Sequence, residues 1–494
     1  MGALDLAIVL GYLASVVAIG AFFSRRQSTT KQYFTAGGKV PWWAVSASIV
    51  ATETSTVTFL SVPGTAYARG GNFTFLQLAL GYVVGRIVVS VLFIPMYFKG
   101  ELLTVYQLLT TRFGAGVRAL LAGSFVVMRT VGDGIRLVLT AGVLAAVWRA
   151  FAPSMDQDAV TIGACVSLGL VMILFTLWGG MEAVIWIEVG QLVVYLLGAL
   201  VAAAILITKI PGGLEAARAV GEEYHKTRWL DFTLSFDKSA GTTFWAGLVG
   251  GCFLNMSTHG TDQYLVQRYL CVDRPRKAAL ALLVSGVVVF FQFALFLGIG
   301  LLLFARGRPY AIPNYESLPP AALREERRGL HRFHHPRVAE RRVGVRRGGD
   351  SRGGALVVVE LDRRDRGERP RAAFPRAAAR HQWLRISKWL TIAAGAAQIA
   401  VAIAARDSQQ SALESVLTVA GLVNGPVLGI FVGDLRAARG RGAGIVGLLA
   451  GMAAALGAWN SQLYWAWYTA VGALATLGAG AAASIALPRR QTTP

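Results

Sequence analysis

The stretch Ser46–Gly64, SASIVATETSTVTFLSVPG, lies in an apolar run long enough to cross a bilayer, yet its centre reads Thr52-Glu53-Thr54-Ser55-Thr56. Lipid offers no partner to a carboxylate, a hydroxyl or a free backbone group. A spanning segment with such a centre has to face protein or a water-filled cavity. Hydroxyls bonding back to their own helix carbonyls account for one or two of the threonines. They do not account for an acid among five consecutive polar residues. A helix break there would free carbonyls to coordinate a desolvated cation, as discontinuous transporter helices do at the bilayer midplane.

The rest of the chain is written to the same scale. Of its 494 residues 54% are hydrophobic, and several apolar runs reach the ~20 residues that a spanning helix needs. Candidate spans are 4–23, 42–66, 73–98, 118–148, 158–178, 181–208, 241–262, 278–305, 386–405, 412–434, 442–459 and 464–487. The expected class is an all-α polytopic membrane protein with the bilayer as its surroundings. Leu4–Phe23 is followed by Ser24-Arg25-Arg26 rather than by a small-residue cleavage site, so it reads as a retained span and not as a leader. Cys165, Cys252 and Cys271 stand singly and indicate neither a disulfide framework nor a metal site. The net charge of +21 belongs largely to loops flanking spans and to one unusual segment, which makes nucleic acid a poor partner.

Basic clusters follow the first, third, seventh, tenth and last spans, including Arg25, Arg26, Lys99, Arg274, Arg276, Arg436 and Arg489. The positive-inside rule then puts the N-terminus outside and the C-terminus in the cytoplasm, in a cell (plasma or inner) membrane. Loop 209–240 reads as external, with a short amphipathic helix over Leu214–Tyr224. On this count one crossing is missing between about 310 and 385, where the longest apolar run is Ala355–Val359. Residues 324–376 instead hold sixteen arginines, no lysine and three of the six histidines. GC-rich codons read out of frame give such an arginine, glycine and alanine text. We read it as two compensating frame errors that overwrote a spanning helix, the frame resuming near His381-Gln382-Trp383-Leu384. The alternative is a basic, disordered insertion.

The text ATETSTVTFLSVPGTAYARG at 51–70, GYVVGRIVVSVLFIPMYFKGELLTVYQLLTTRFG at 81–114, WGGMEAVIWIEVGQ at 178–191 and HGTDQYLVQRYL at 259–270 resembles the sodium/solute symporter family. That resemblance implies an inverted five-plus-five helix repeat whose first helix is broken. Residues 1–41 would hold an extra helix and a cytoplasmic loop, 42–208 the first repeat, 209–240 the external loop, 241–434 the second repeat and 435–494 the C-terminal helices. The second repeat is one helix short, and the gap falls at 324–376.

The resemblance also implies a coupling Na⁺ held by the backbone carbonyls of Ala51 and Thr54 together with hydroxyls of the missing helix. Two carbonyls do not complete the shell of a desolvated sodium ion, so the site is incomplete as written. Glu188 matches a family aspartate near the sodium exit route and is the third candidate cation ligand; the alternative is an interfacial acid near a helix start, favoured by the macrodipole. Arg129, Asp133 and Arg136 share one helical face, where Asp133 neutralises one guanidinium but not both. In the branch resembling sialic-acid symporters an arginine at the position of Arg136 binds the substrate carboxylate, a task suited to a planar fork. Its alternative partners are Glu53 or a helix carbonyl, and Arg86 is the default structural partner of Glu53. Candidate solute-binding residues are Glu53, Thr56, Gln77, Arg136, Thr258 and His259. Thr258-His259 stand where sugar-transporting relatives carry aromatic residues, which argues against a hexose. Asp262-Gln263 and Gln267-Arg268 are expected to serve packing and inner gating.

The expected function is sodium-coupled symport of a small organic carboxylate by alternating access. The alternative is a membrane sensor or an inactive relative that binds the solute without moving it. An enzyme is not expected, because the spans carry no metal-spaced His/Asp cluster and no nucleophile–base pairing.

Overall fold

The computed structural model describes residues 35–99, 105, 107–151, 155–176, 181–307, 377–406, 412–435, 441–461 and 463–486, with isolated positions before residue 35. Among these residues the α-helices are, in order, α1 (Trp42–Glu53), α2 (Thr56–Tyr67), α3 (Leu76–Leu92), α4 (Ile94–Tyr97), α5 (Gln107–Phe151), α6 (Gln157–Thr176), α7 (Met181–Lys209) and α8 (Gly213–Glu223). They continue with α9 (Gly251–Thr261), α10 (Gln263–Tyr269), α11 (Pro275–Arg306), α12 (Ala377–Ala404), α13 (Ala412–Leu435), α14 (Arg441–Asn460) and α15 (Tyr468–Ala486). Among the described residues six helices are long and apolar enough to cross a membrane, and the bent pair α1–α2 makes a seventh. The span expected at 118–148 lies inside the 45-residue α5. The loop helix expected at Leu214–Tyr224 is α8. The frame-shift reading of 324–376 and the helix assigned to it lie outside the described residues, as does most of 4–23.

The break expected at 51–56 is present, and α1 and α2 meet at 64°. The Thr54 amide makes the last bond of the α1 ladder, to the Val50 carbonyl at 3.0 Å, and the Ser55 amide turns back to Glu53 at 3.1 Å. Ser55 is extended (φ −82°, ψ 172°), so α2 starts on a new axis. Two apolar clusters meet at this bend. Val45 and Ile49 belong to one, with Phe93, Tyr97, Tyr269 and Phe431; Val50, Val57 and Val62 belong to the other, with Leu78, Tyr195 and Phe296. Each half-helix is therefore anchored by its own core, and the polar hinge lies on the seam between them.

A second break separates α9 from α10 at Asp262 (φ −80°, ψ 118°), whose carboxylate caps α10 by accepting the Tyr264 amide at 2.8 Å. Before α9 the chain makes a π-helical turn, Ala246–Gly250. That turn and α3 touch backbone to backbone: a Cβ on Gly81 would lie 2.2 Å from the Gly247 carbonyl oxygen. Glycine is required there by proximity.

The loop after α8 is pinned to the far end of α2 by a buried lysine. The Lys226 ammonium, only 1% exposed, donates to the carbonyls of Ala66 (2.8 Å), Ala68 (2.7 Å) and Gly71 (3.1 Å) and lies 3.9 Å from the centre of the Phe304 ring. The final carbonyls of a helix lack amide partners and carry its negative pole, which makes a cation the apt cap.

Candidate functional site

A cavity of about 190 Å³ opens at the first break. Residues 51–58 form one wall, Arg129, Asp133, Arg136 and Thr140 of α5 another, and Asn255, Thr258 and Asp262 a third, with Tyr82 and Asn424 closing the rim.

The two arginines of α5 are balanced by two aspartates. Arg129 pairs with Asp262 at 2.9 Å and lies 3.9 Å from Asp133, while Arg136 Nη1 donates to Asp133 Oδ1 at 2.8 Å. The surplus guanidinium inferred from sequence is thus met by Asp262, a residue assigned there to packing and inner gating. Arg129 is further sandwiched against the Tyr264 ring, 4.6 Å from its centre. Arg136 is the more open of the two, with its side chain 31% exposed against 11% for Arg129. Arg136 is not paired with Glu53.

Glu53 instead pairs with Arg86, as the default reading held, and with His259. Arg86 also donates to the Ser285 hydroxyl at 2.8 Å, and the other ring nitrogen of His259 meets the Tyr269 hydroxyl. His259 is fully buried behind the break and does not line the cavity, which corrects its placement among the solute contacts. Gln77 needs the same correction. Its amide nitrogen donates to the Thr242 carbonyl at 2.8 Å and its oxygen accepts the Asp231 amide at 2.8 Å, so it ties the 224–245 loop to α3. Thr56 and Thr258 do line the cavity; Thr56 accepts from Thr140 at 3.1 Å and the Thr258 hydroxyl donates to Leu254 at 2.8 Å.

At the hinge, the Ala51 carbonyl receives no backbone amide among the described residues, because the Ser55 amide four positions on turns back to Glu53. Carbonyl oxygens released in this way are hard donors suited to a small monovalent cation. The Thr54 hydroxyl is committed to a triangle with Tyr195 and Gln292 at 2.6–2.9 Å, which fixes the hinge. Glu188 is neither interfacial nor open. It is fully buried, paired with Arg268 of α10, and contacted by the hydroxyls of Ser48 and Thr52, the latter at 3.1 Å. A sodium ion at Glu188 would have to displace a guanidinium, which corrects the reading of this residue as an available cation ligand.

Sequence reasoning missed three participants: Asn255, Tyr195 and Gln292. Each is a polar residue inside an apolar helix, the same signal that marked Gln77.

Fold and site together define the class: a multi-pass helical membrane protein with a polar cavity at a helix break. The chain belongs to the sodium:solute symporter family, whose model matches residues 33–318. It is 29% identical to the sodium/sialic acid symporter NanT of Aliivibrio fischeri (strain ATCC 700601 / ES114), over 64% of this chain and 60% of that protein. To the sodium/sialic acid symporter SiaT of Proteus mirabilis (strain HI4320) it is 30% identical, over 61% and 58% respectively. The chain spans 58–60% of the length of these curated relatives. Its fold is similar to a solved structure described as the substrate-bound outward-open state of a Na⁺-coupled sialic acid symporter, with a TM-score of 0.75, 24% identity and 100% of both chains covered.

Proposed function

We propose that this protein is a sodium-coupled secondary symporter of a small organic carboxylate. The observation that carries the reading is Arg136, a guanidinium with one carboxylate partner whose side chain is part-open to a cavity at the hinge of a broken helix. A planar fork with unused donors is the group best suited to a carboxylate. The carbonyls of Ala51 and Thr54 would take Na⁺ as co-substrate, so binding of cation and solute at one hinge would be coupled through it. Glu53 would hold the hinge through Arg86, while Thr56 and Thr258 would contact the solute. Residues 42–208 and 241–434 would act as the two repeats that rock around this site, with the N-terminus outside and the C-terminus cytoplasmic in the cell membrane. The two relatives above are named as symporters of sialic acid, itself a carboxylate, which supports this reading.

The test is uptake by proteoliposomes containing the full chain under an inward sodium gradient, beside sodium-dependent binding in detergent. The expected result is sodium-dependent uptake of a carboxylate that Arg136→Ala reduces at least about a hundredfold, the scale of a lost buried charge-assisted contact. Uptake indifferent to sodium, or undiminished in Arg136→Ala, would overturn the reading.

A further inference from the structure

Two acceptor atoms of cavity-lining residues have no protein donor among the described residues. Asp133 is 3% exposed; its Oδ1 serves Arg136 at 2.8 Å and Arg129 at 3.9 Å, while its Oδ2 is buried without a partner among the described residues. Asn255 is likewise 3% exposed, and its Oδ1 is buried and unpartnered. Its Cβ is packed against Gly85 of α3, 2.9 Å from where a Cβ on that glycine would sit. The Arg136 Nε is unpartnered too, so the residues lining the cavity, on two of its walls, hold one unpartnered donor and two unpartnered acceptors among the described residues.

We infer that Asp133 and Asn255 are specificity-determining residues that select carboxylates bearing an N–H or O–H donor, that is amino or hydroxy acids, over plain alkyl carboxylates. The inference rests on the carboxylate reading of Arg136 and refines it. A plain acid satisfies the guanidinium with its two oxygens and then offers only C–H groups to the remaining wall. A solute that seats against these residues satisfies the two acceptors only if it brings a donor, and a C–H group leaves both oxygens buried and unpaired. Sites lined in this way reject an analogue that lacks the donor far more strongly than apolar pockets reject an extra methylene. Asp133 carries most of the discrimination, since an ionised carboxylate is acceptor-only whichever way it is turned. An ammonium and a hydroxyl share the donor chemistry and are separated by charge. The ammonium gains from the negative charge on Asp133, whereas the hydroxyl needs only an acceptor.

The experiment is ligand-dependent thermal stabilisation of the purified full chain in sodium-containing buffer. The probes are two matched series: propionate, lactate and alanine, then hexanoate, 2-hydroxyhexanoate and 2-aminohexanoate. The expected result is that at least one donor-bearing acid in a series binds about tenfold or more tightly than its plain counterpart. Asp133→Asn should then remove the advantage of the amino acid while keeping part of that of the hydroxy acid. Asn255→Leu, which keeps volume and removes the acceptor, should narrow a tenfold discrimination to about fivefold and decides the matter if Asp133→Asn does not fold. Plain acids binding within about twofold of their donor-bearing partners in the unmodified protein, or discrimination unchanged in both variants, would overturn the inference. If acids bind and Arg136→Ala leaves that binding intact, the carboxylate reading falls; if no acid binds, both fall together.

Discussion

Arg86 is fully buried inside an apolar helix, and its charge is tolerable only because Glu53 and Ser285 meet it. Removing one partner leaves the other charged and unpaired. Glu53→Gln and Arg86→Met are each expected to destabilise the protein by about 3–5 kcal/mol, and the double variant to recover much of that loss, because an uncompensated buried charge costs more than the pair contributes. Thermal unfolding of the purified variants, arranged as a double-mutant cycle, measures it; additive losses would mean that the two side chains do not share an interaction. This pair was legible in the sequence, since an arginine in an apolar span demands an acid and the spans hold few. The Arg129–Asp262 pair was not, because the two residues lie 133 positions apart and the break that exposes Asp262 carries no strong local signature. Gln77 and His259 show the complementary limit. A polar residue in a spanning helix announces that it has a partner, but not whether that partner is a solute, a loop amide or a neighbouring helix.

At the scale of elements, the α1–α2 break could be read directly from five consecutive polar residues, because no arrangement of a straight helix satisfies them in lipid. The π-helical turn before α9 could not. It is imposed by contact with α3, through glycines whose role depends on what they face. Gly81→Ala would drive a Cβ into the Gly247 carbonyl and should cost about 1–3 kcal/mol, the range for overpacking a tight contact. Gly64→Ala, in α2, meets nothing within 4 Å and should be neutral or stabilising by up to about 1 kcal/mol, because alanine is the better helix former. Melting temperatures of the two variants should therefore move in opposite directions or differ clearly. Equal behaviour would mean that α3 and the π-helical turn are less closely packed than they are drawn.

For the whole molecule, contacts between distant segments hold the broken helix on both sides of its hinge as well as at it. At one end Glu188 of α7 and Arg268 of α10 clamp Ser48 of α1 between them, with Arg268 Nε 3.0 Å from the Ser48 hydroxyl. At the other, Lys226 holds the carbonyls that finish α2. Lys226→Met keeps the length of the side chain, leaves those carbonyls without a donor, and should lower the unfolding free energy by about 1–3 kcal/mol, read as a lower melting temperature.

That lysine has a further consequence. An amine acylates only when it is free and wetted, and Lys226 is neither while it grips four carbonyl oxygens. Lys238, exposed in the same loop, is always available to a reagent in the bath. The ratio of their labelling rates with a water-soluble acylating reagent, followed by mass spectrometry on the purified protein, would time each release of α2 without any engineered probe. Equal rates would mean that the grip is not kept. A ratio that changes when sodium is added would make this chain its own stopwatch.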